Sequence, residues 1–393
     1  MNARLSIALL AATALSGPAL AEEATAWRIL VGDHTEPKVT ALDLATGDEL
    51  ASFPLASPAS LYATGGTVFA VQGAGNQVSA IRSGITIEDH GDHGDIDIAD
   101  PSLVEGVLTG EKPAHFVEHD GQVALFFDGS GLVDLFSPAG WVENGAPEVT
   151  RLDSGTPHHG VAIPWGDYTL VSVADSEDEK KPRLGLDVID PHGDKVGDTH
   201  PCPDLHGEAT SGNLLAVGCG DGLLIVSGSG EPSVEKIDYA GLPEGKVTTL
   251  VGGQGMQYFL GNYGADKVVI VDPAEETPYR LVDLPTRRVH FVTDPIRPKF
   301  AYVFTEDGNL RRLDVVSGQF TAAVTVTEPY SMDGDWSLPR PRVAVAGDVI
   351  AVTDPSEGKV HLVDAGTFEI TGDIPVSGLP YTIVAIGGAG TIH

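Results

Sequence analysis

The feature that most restricts the fold of this chain is a phrase that keeps returning: an apolar strand that closes on an aspartate and a small-residue turn. It reads Ala41-Leu42-Asp43-Leu44-Ala45-Thr46-Gly47, then Val269-Ile270-Val271-Asp272-Pro273, Leu313-Asp314-Val315-Val316-Ser317-Gly318 and Leu362-Val363-Asp364-Ala365-Gly366. Around these anchors the grammar is constant: a short strand, a Gly-polar hairpin, a β-rich strand such as Thr67–Gln72 or Phe300–Phe304, a second turn, then the phrase itself. Units of roughly 40 to 50 residues with four short strands each are the signature of propeller blades. Starts fall near Ser57, Lys112, Thr156, Leu205, Gly245, Thr286 and Pro339, and a fragment too short to be a blade begins near Leu379. Residues Trp27 to Leu55 hold the strands that fragment lacks. The two ends are therefore expected to share one closing blade, which removes the open edge of the ring. The prediction is an all-β, eight-bladed propeller. Seven blades is the alternative, because insertions in the units at Ser57 and Thr286 blur the period.

Residues Met1 to Ala21 stand apart from the repeat. Arg4, an apolar run from Leu5 to about Leu15 and the ending Ala19-Leu20-Ala21 read as a secretory signal peptide cleaved after Ala21. The apolar core is shorter than the ~20 residues a bilayer requires, and no later stretch would span one. The expectation is an exported single domain over 22–393 with no membrane insertion, acting as a monomer. Acidic residues outnumber basic ones, 56 to 23, for a net charge of -33. Nucleic acid is thereby disfavoured as a partner, and cations are favoured. Cys202 and Cys219 are the only cysteines, and an oxidising compartment makes them an expected disulfide. A hairpin with its tip at Thr210-Ser211 would set the two opposite each other; a thiolate zinc pair is the rival reading.

Three histidines fall at matching places in consecutive units. The motifs are Pro113-Ala114-His115-Phe116, Thr156-Pro157-His158-His159-Gly160 and Asp204-Leu205-His206-Gly207, and the histidines lie six, seven and six residues before the hairpin glycines Gly121, Gly166 and Gly212. First strands line the channel of a propeller, so equivalent positions on neighbouring blades converge. Zinc suits such a cluster, because imidazole nitrogen is a preferred ligand and tetrahedral geometry takes three or four donors. Glu208, two residues after His206 and on the same strand face, is the expected fourth ligand, with water as the alternative. His158 replaces His159 if the alignment slips by one, and His290 opens a later blade. Hydrogen bonds to channel water are the ordinary explanation for any one histidine alone, and His34, His192, His200, His361 and His393 are assigned that way.

The second constellation is Glu88-Asp89-His90-Gly91-Asp92-His93-Gly94-Asp95-Ile96-Asp97, a doubled Asp-His-Gly expected as a flexible loop at 88–97. Alternating carboxylates and imidazoles can hold a divalent cation without a preformed cage. Calcium fits less well, since the run lacks the spacing and closing glutamate of an EF-hand loop. With this loop and the motifs Pro-Ala-His-Phe, Pro-His-His-Gly and Leu-His-Gly-Glu, the chain resembles the periplasmic zinc chaperones of the AztD type, propellers that accompany a zinc ABC transporter. The resemblance spans the mature chain. It implies zinc stored in the propeller at His115, His159 and His206, and a mobile loop bearing His90, His93, Asp89, Asp92 and Asp95 that carries zinc to the transporter's solute-binding protein.

Two other classes compete. A propeller enzyme, such as a metal-dependent hydrolase, would use the same architecture. The chain has no G-x-S-x-G, P-loop or H-E-x-x-H motif, so the expectation is that it is not an enzyme. A purely structural or protein-binding propeller with incidental histidines is the remaining class.

Overall fold

A computed structural model describes residues 22–91, 94–175, 183–335 and 337–392; the leader Met1–Ala21, Asp92, His93 and His393 lie outside them. The strands form eight antiparallel blades. The innermost strands are Ser60–Thr64, Pro113–His119, Ala162–Trp165, Glu208–Ser211, Leu250–Val251, Arg288–Thr293, Val343–Ala346 and Pro380–Ile392. Each begins within six residues of the start read from the repeat. The last of them pairs with Glu22–Asp33 from the other end of the chain, from Glu22↔Ile392 to Asp33↔Pro380. The closing blade is thus shared, as expected, and every inner strand has a neighbour on both sides of the ring.

The core lies between blades, not in one centre. Second strands such as Thr67–Gln72 are buried at every position, because a neighbouring blade covers each face. Outer strands such as Gln319–Thr325 alternate half-buried with exposed. Phe69, Phe116, Phe127 and Phe136 fill one such layer together with Trp141. Trp141 sits on the seven-residue helix Pro138–Asn144, which begins where Ser137 Oγ accepts a hydrogen bond from the Gly140 amide.

Cys202 is bonded to Cys219, although not across the hairpin expected. Ser211 pairs with Leu214, so the tip is Gly212-Asn213, and the inner strand starts only at Glu208. Cys202 instead stands at the end of the preceding blade's outer strand, where its amide donates to Leu184 O. The bridge therefore joins two blades within the apolar layer of Val161, Ile163, Leu215 and Val217. The turn falls directly after Thr210-Ser211 because Gly212, with φ of +55°, takes the left-handed corner.

On either side of Asp92 and His93 the acidic run is strand. Ile85–Asp89 and Gly94–Ile98 form a hairpin, with Glu88 opposite Asp95 and Asp89 opposite Gly94. Its second strand pairs in parallel with the end of the closing strand at Thr391↔Asp95. Alternating isoleucines at 85, 87, 96 and 98 supply the β preference that the doubled Asp-His-Gly concealed.

Candidate metal centre

The three histidines meet. His115 sits in the first inner-strand motif at an irregularity: Pro113 pairs with Phe127 and Phe116 with Leu125, so Ala114 and His115 together oppose Phe126. Such a bulge re-aims a side chain. His159 and His206 lie in the segments entering the next two inner strands, not in the strands themselves. Two glycines make those approaches possible. A Cβ on Gly160 would fall 2.4 Å from the Phe126 ring, and one on Gly207, whose φ is +79°, would fall 2.7 Å from Thr248 O.

The geometry has one consistent rule. Nε2 of His115 and Nε2 of His159 face each other at 3.4 Å, and the His206 ring centre lies 6.0 Å from that of His159. Every Nδ1 is already engaged: that of His115 with Glu208 Oε1 at 3.4 Å, that of His159 with Asp128 Oδ2 at 2.6 Å, and that of His206 with Thr248 O at 2.8 Å. Such partners fix tautomer and ring orientation and leave Nε2 as the free donor. Two imidazole nitrogens about 2.05 Å from one tetrahedral ion stand about 3.3 Å apart, close to the separation observed. Glu208 is largely buried, with its side chain 14% exposed, and its Oε2 has no partner among the described residues. A buried carboxylate oxygen without a hydrogen bond is costly unless a cation takes it. The donor types present therefore suit a divalent cation, while among the described residues no three of them already stand together at ligand spacing.

Electrostatics bind the set together. Burial pushes the Glu208 carboxyl up, but the hydrogen bond from His115 and the charges of His115, His206 and Arg183 hold it below its usual value. Burial pulls His115 down, and Glu208 with Asp128 more than restores it. His206 is lowered, first by burial, then by Arg183 and the other two imidazoles. His159 is 53% exposed, so the cluster opens to solvent at a mouth of the ring.

Reading by sequence missed Asp128 and Arg183. Arg183 donates from Nη1 to the His159 carbonyl; nothing in its local sequence marks it. Asp128 follows the second strand of its blade, where Gln72 and Asn262 end theirs. Those two amide side chains accept from the backbone entering their own blades, Gln72 from Ala56 and Asn262 from Thr248 and Thr249. Asp128 accepts across to the next blade, from Gly160 N and His159. His158 resolves the alignment question: Thr156 O and Ser172 Oγ take both its nitrogens, at 2.7 and 2.8 Å, in a buried site. His290 accepts from the Val343 amide, and burial with Arg342 drives it well below its usual value.

The acidic hairpin is elsewhere. Within a blade the strands alternate in direction, so starts of first strands share one mouth and links from third to fourth strand share the other. The hairpin is inserted between Gln77–Arg82 and Ser102–Thr109, the third and fourth strands of its blade. It therefore rises from the face opposite the histidine cluster. His90 Nε2 lies 3.2 Å from Asp95 Oδ2 and 3.9 Å from Glu88 Oε2, while Asp89 Oδ1 accepts from the Gly91 amide. Glu88 was not among the expected ligands. Asp92 and His93 lie outside the described residues.

Fold and site together define an eight-bladed propeller, closed by both chain ends, with a histidine and carboxylate cluster at one mouth. No protein-family model matches the chain. It is 49% identical over 381 residues, 96% of this chain and 90% of the relative, to the zinc chaperone AztD of Citrobacter koseri. A crystal structure of that protein superposes with a TM-score of 0.92 at 48% identity, covering 94% of this chain and all of the other. A structure of its apo form gives 0.89 at 47% identity over 93% and 99% of the two chains. The chain belongs to the AztD family of zinc chaperones. The dihydro-heme d1 dehydrogenase NirN, at 13% identity and a TM-score of 0.58 over 91% of this chain and 74% of its own, shares the fold alone.

Proposed function

We infer that this chain is an exported zinc chaperone that binds zinc as cargo at the mouth cluster and delivers it to the solute-binding protein of a zinc ABC transporter. The observation that carries the reading is the common arrangement of the three imidazoles, each held through Nδ1, with two free Nε2 atoms at tetrahedral-ligand spacing. His115, His159 and His206 bind through Nε2. Glu208 orients His115 through Oε1; to serve as the fourth ligand it gives up that contact and swings to the Nε2 side of the ring. The sequence of Met1–Ala21 supports export to the periplasm with cleavage after Ala21, and among the described residues no helix is long and apolar enough to cross a membrane. The name of the Citrobacter koseri relative supports zinc as the cargo. Exposure of His159 at the mouth suits an ion that must leave by ligand exchange with an acceptor. The hairpin with Asp89, His90 and Asp95, together with Asp92 and His93, is a second, weaker zinc site that collects the ion at the other face.

The test is elemental analysis of the mature protein beside a variant with His115, His159 and His206 all changed to alanine. Wild type should retain near-stoichiometric zinc after dialysis and the variant should lose it. Equal zinc in both would place the tight site elsewhere.

A further inference from the structure

A cation already sits beside the mouth cluster, against the backbone of His159. Arg183 leads into the strand Gly185–Ile189, and its neighbour Leu184 donates its amide to Val173 O, so the backbone is fixed beside the site. Its guanidinium is held by the His159 carbonyl through Nη1, while its Nε is buried with no partner among the described residues. Asp128, Glu208 and Asp204 are the acids that act on it, and burial lowers its pKa against their charges. Two of these acids are the ones that orient His159 and His115. Arginine stays protonated under all ordinary conditions. A divalent ion drawn to the same carboxylates therefore meets a fixed positive charge in a partly desolvated site, where charges act strongly.

We propose that Arg183 is a built-in competitor of the metal: its fixed positive charge, held against the His159 backbone, opposes the divalent ion bound by the cluster, so that the bound ion stays exchangeable. The inference rests on the zinc reading above. Its consequence is opposite to that of a ligand or a structural prop, since removing the residue improves binding. Two demands on a chaperone, a site good enough to capture zinc and one that yields it, are then met by separate side chains.

The experiment compares wild type, R183Q and R183K as full mature chains. Zinc dissociation constants come from competition with a chromophoric chelator, and release rates from mixing the zinc-loaded protein with excess chelator. R183Q should bind zinc at least about tenfold more tightly and release it correspondingly more slowly. R183K keeps the charge but cannot fork between acceptors, and should fall between R183Q and wild type. Cobalt bound in place of zinc should show the same d–d band shape in all three, marking an unchanged ligand set. Unchanged or weaker zinc binding in whichever variant folds overturns the proposal, because loss of a prop loosens a site and never tightens it. Failure of the zinc reading is separable: wild type would then bind no zinc, or an H159A variant would bind as well as wild type.

Discussion

The unit of this site is an imidazole with a committed Nδ1. His159 is exposed, so its orientation depends on a single partner, the Asp128 carboxylate at 2.6 Å. Outer-sphere carboxylates of this kind commonly contribute 10- to 100-fold to metal affinity. D128N should accordingly weaken zinc binding about tenfold or more in chelator competition while leaving the melting temperature close to wild type; an unchanged affinity would mean that His159 is not a ligand. Asp128 also shows why the cluster was only partly legible. The histidines announced themselves by matching positions in successive units, whereas Asp128 and Arg183 come from links between strands, where no spacing rule relates them to His159. Glu208 was found by strand parity from His206, and the structure adds that one oxygen faces His115 while the other has no partner among the described residues.

At the scale of elements, the hairpin Ile85–Ile98 and the mouth cluster belong to different faces of the ring. Direct ligand exchange between them within one molecule, the simplest picture suggested by a mobile loop, would have to cross the depth of the propeller. The two sites are better matched to two separate encounters. Deleting Asp89 to Asp95 should leave tight zinc binding intact, since the described strands of the hairpin rise from the face opposite the cluster, and should slow loading or transfer measured against an acceptor protein. Loss of tight binding on deletion would show that the hairpin supplies a ligand to the main site. The alternating isoleucines around the tip explain the order of its flanks. They were readable in the sequence, but the compositional contrast of His, Asp and Gly outweighed them.

For the whole molecule, closure of the ring is electrostatic as well as apolar. Asp33 ends the strand that pairs with the carboxyl-terminal one, and accepts hydrogen bonds from the amides of Thr35, Glu36 and, from the other end of the chain, Leu379. Burial raises its pKa, but those amides lower it further, to a net value below the usual one. Asp354 is likewise held low: burial raises it, and His361, Tyr330 and Ser356 outweigh that. A folded pKa below the unfolded value of about 3.9 gives stability that is complete above roughly pH 5 and is lost as pH falls through the unfolded value toward the folded one. The melting temperature of the zinc-free protein should therefore drop below about pH 4, and D33N, which has no charge to lose, should drop less steeply from a lower starting point. A parallel fall in both proteins would remove Asp33 from the account.

The sequence by itself determined the propeller, its eight starts and the shared closing blade, because a repeat fixes periodicity and periodicity fixes which strands stack. It also determined that three histidines converge, since equivalent positions on adjacent blades must meet near the axis. Tertiary structure alone decided the bulge that turns His115, the acids and the arginine that surround the cluster, the route of the disulfide between blades, and the opposite placement of the hairpin. These depend on contacts between segments far apart in the chain, set by the twist and packing of neighbouring blades, and no local pattern encodes them.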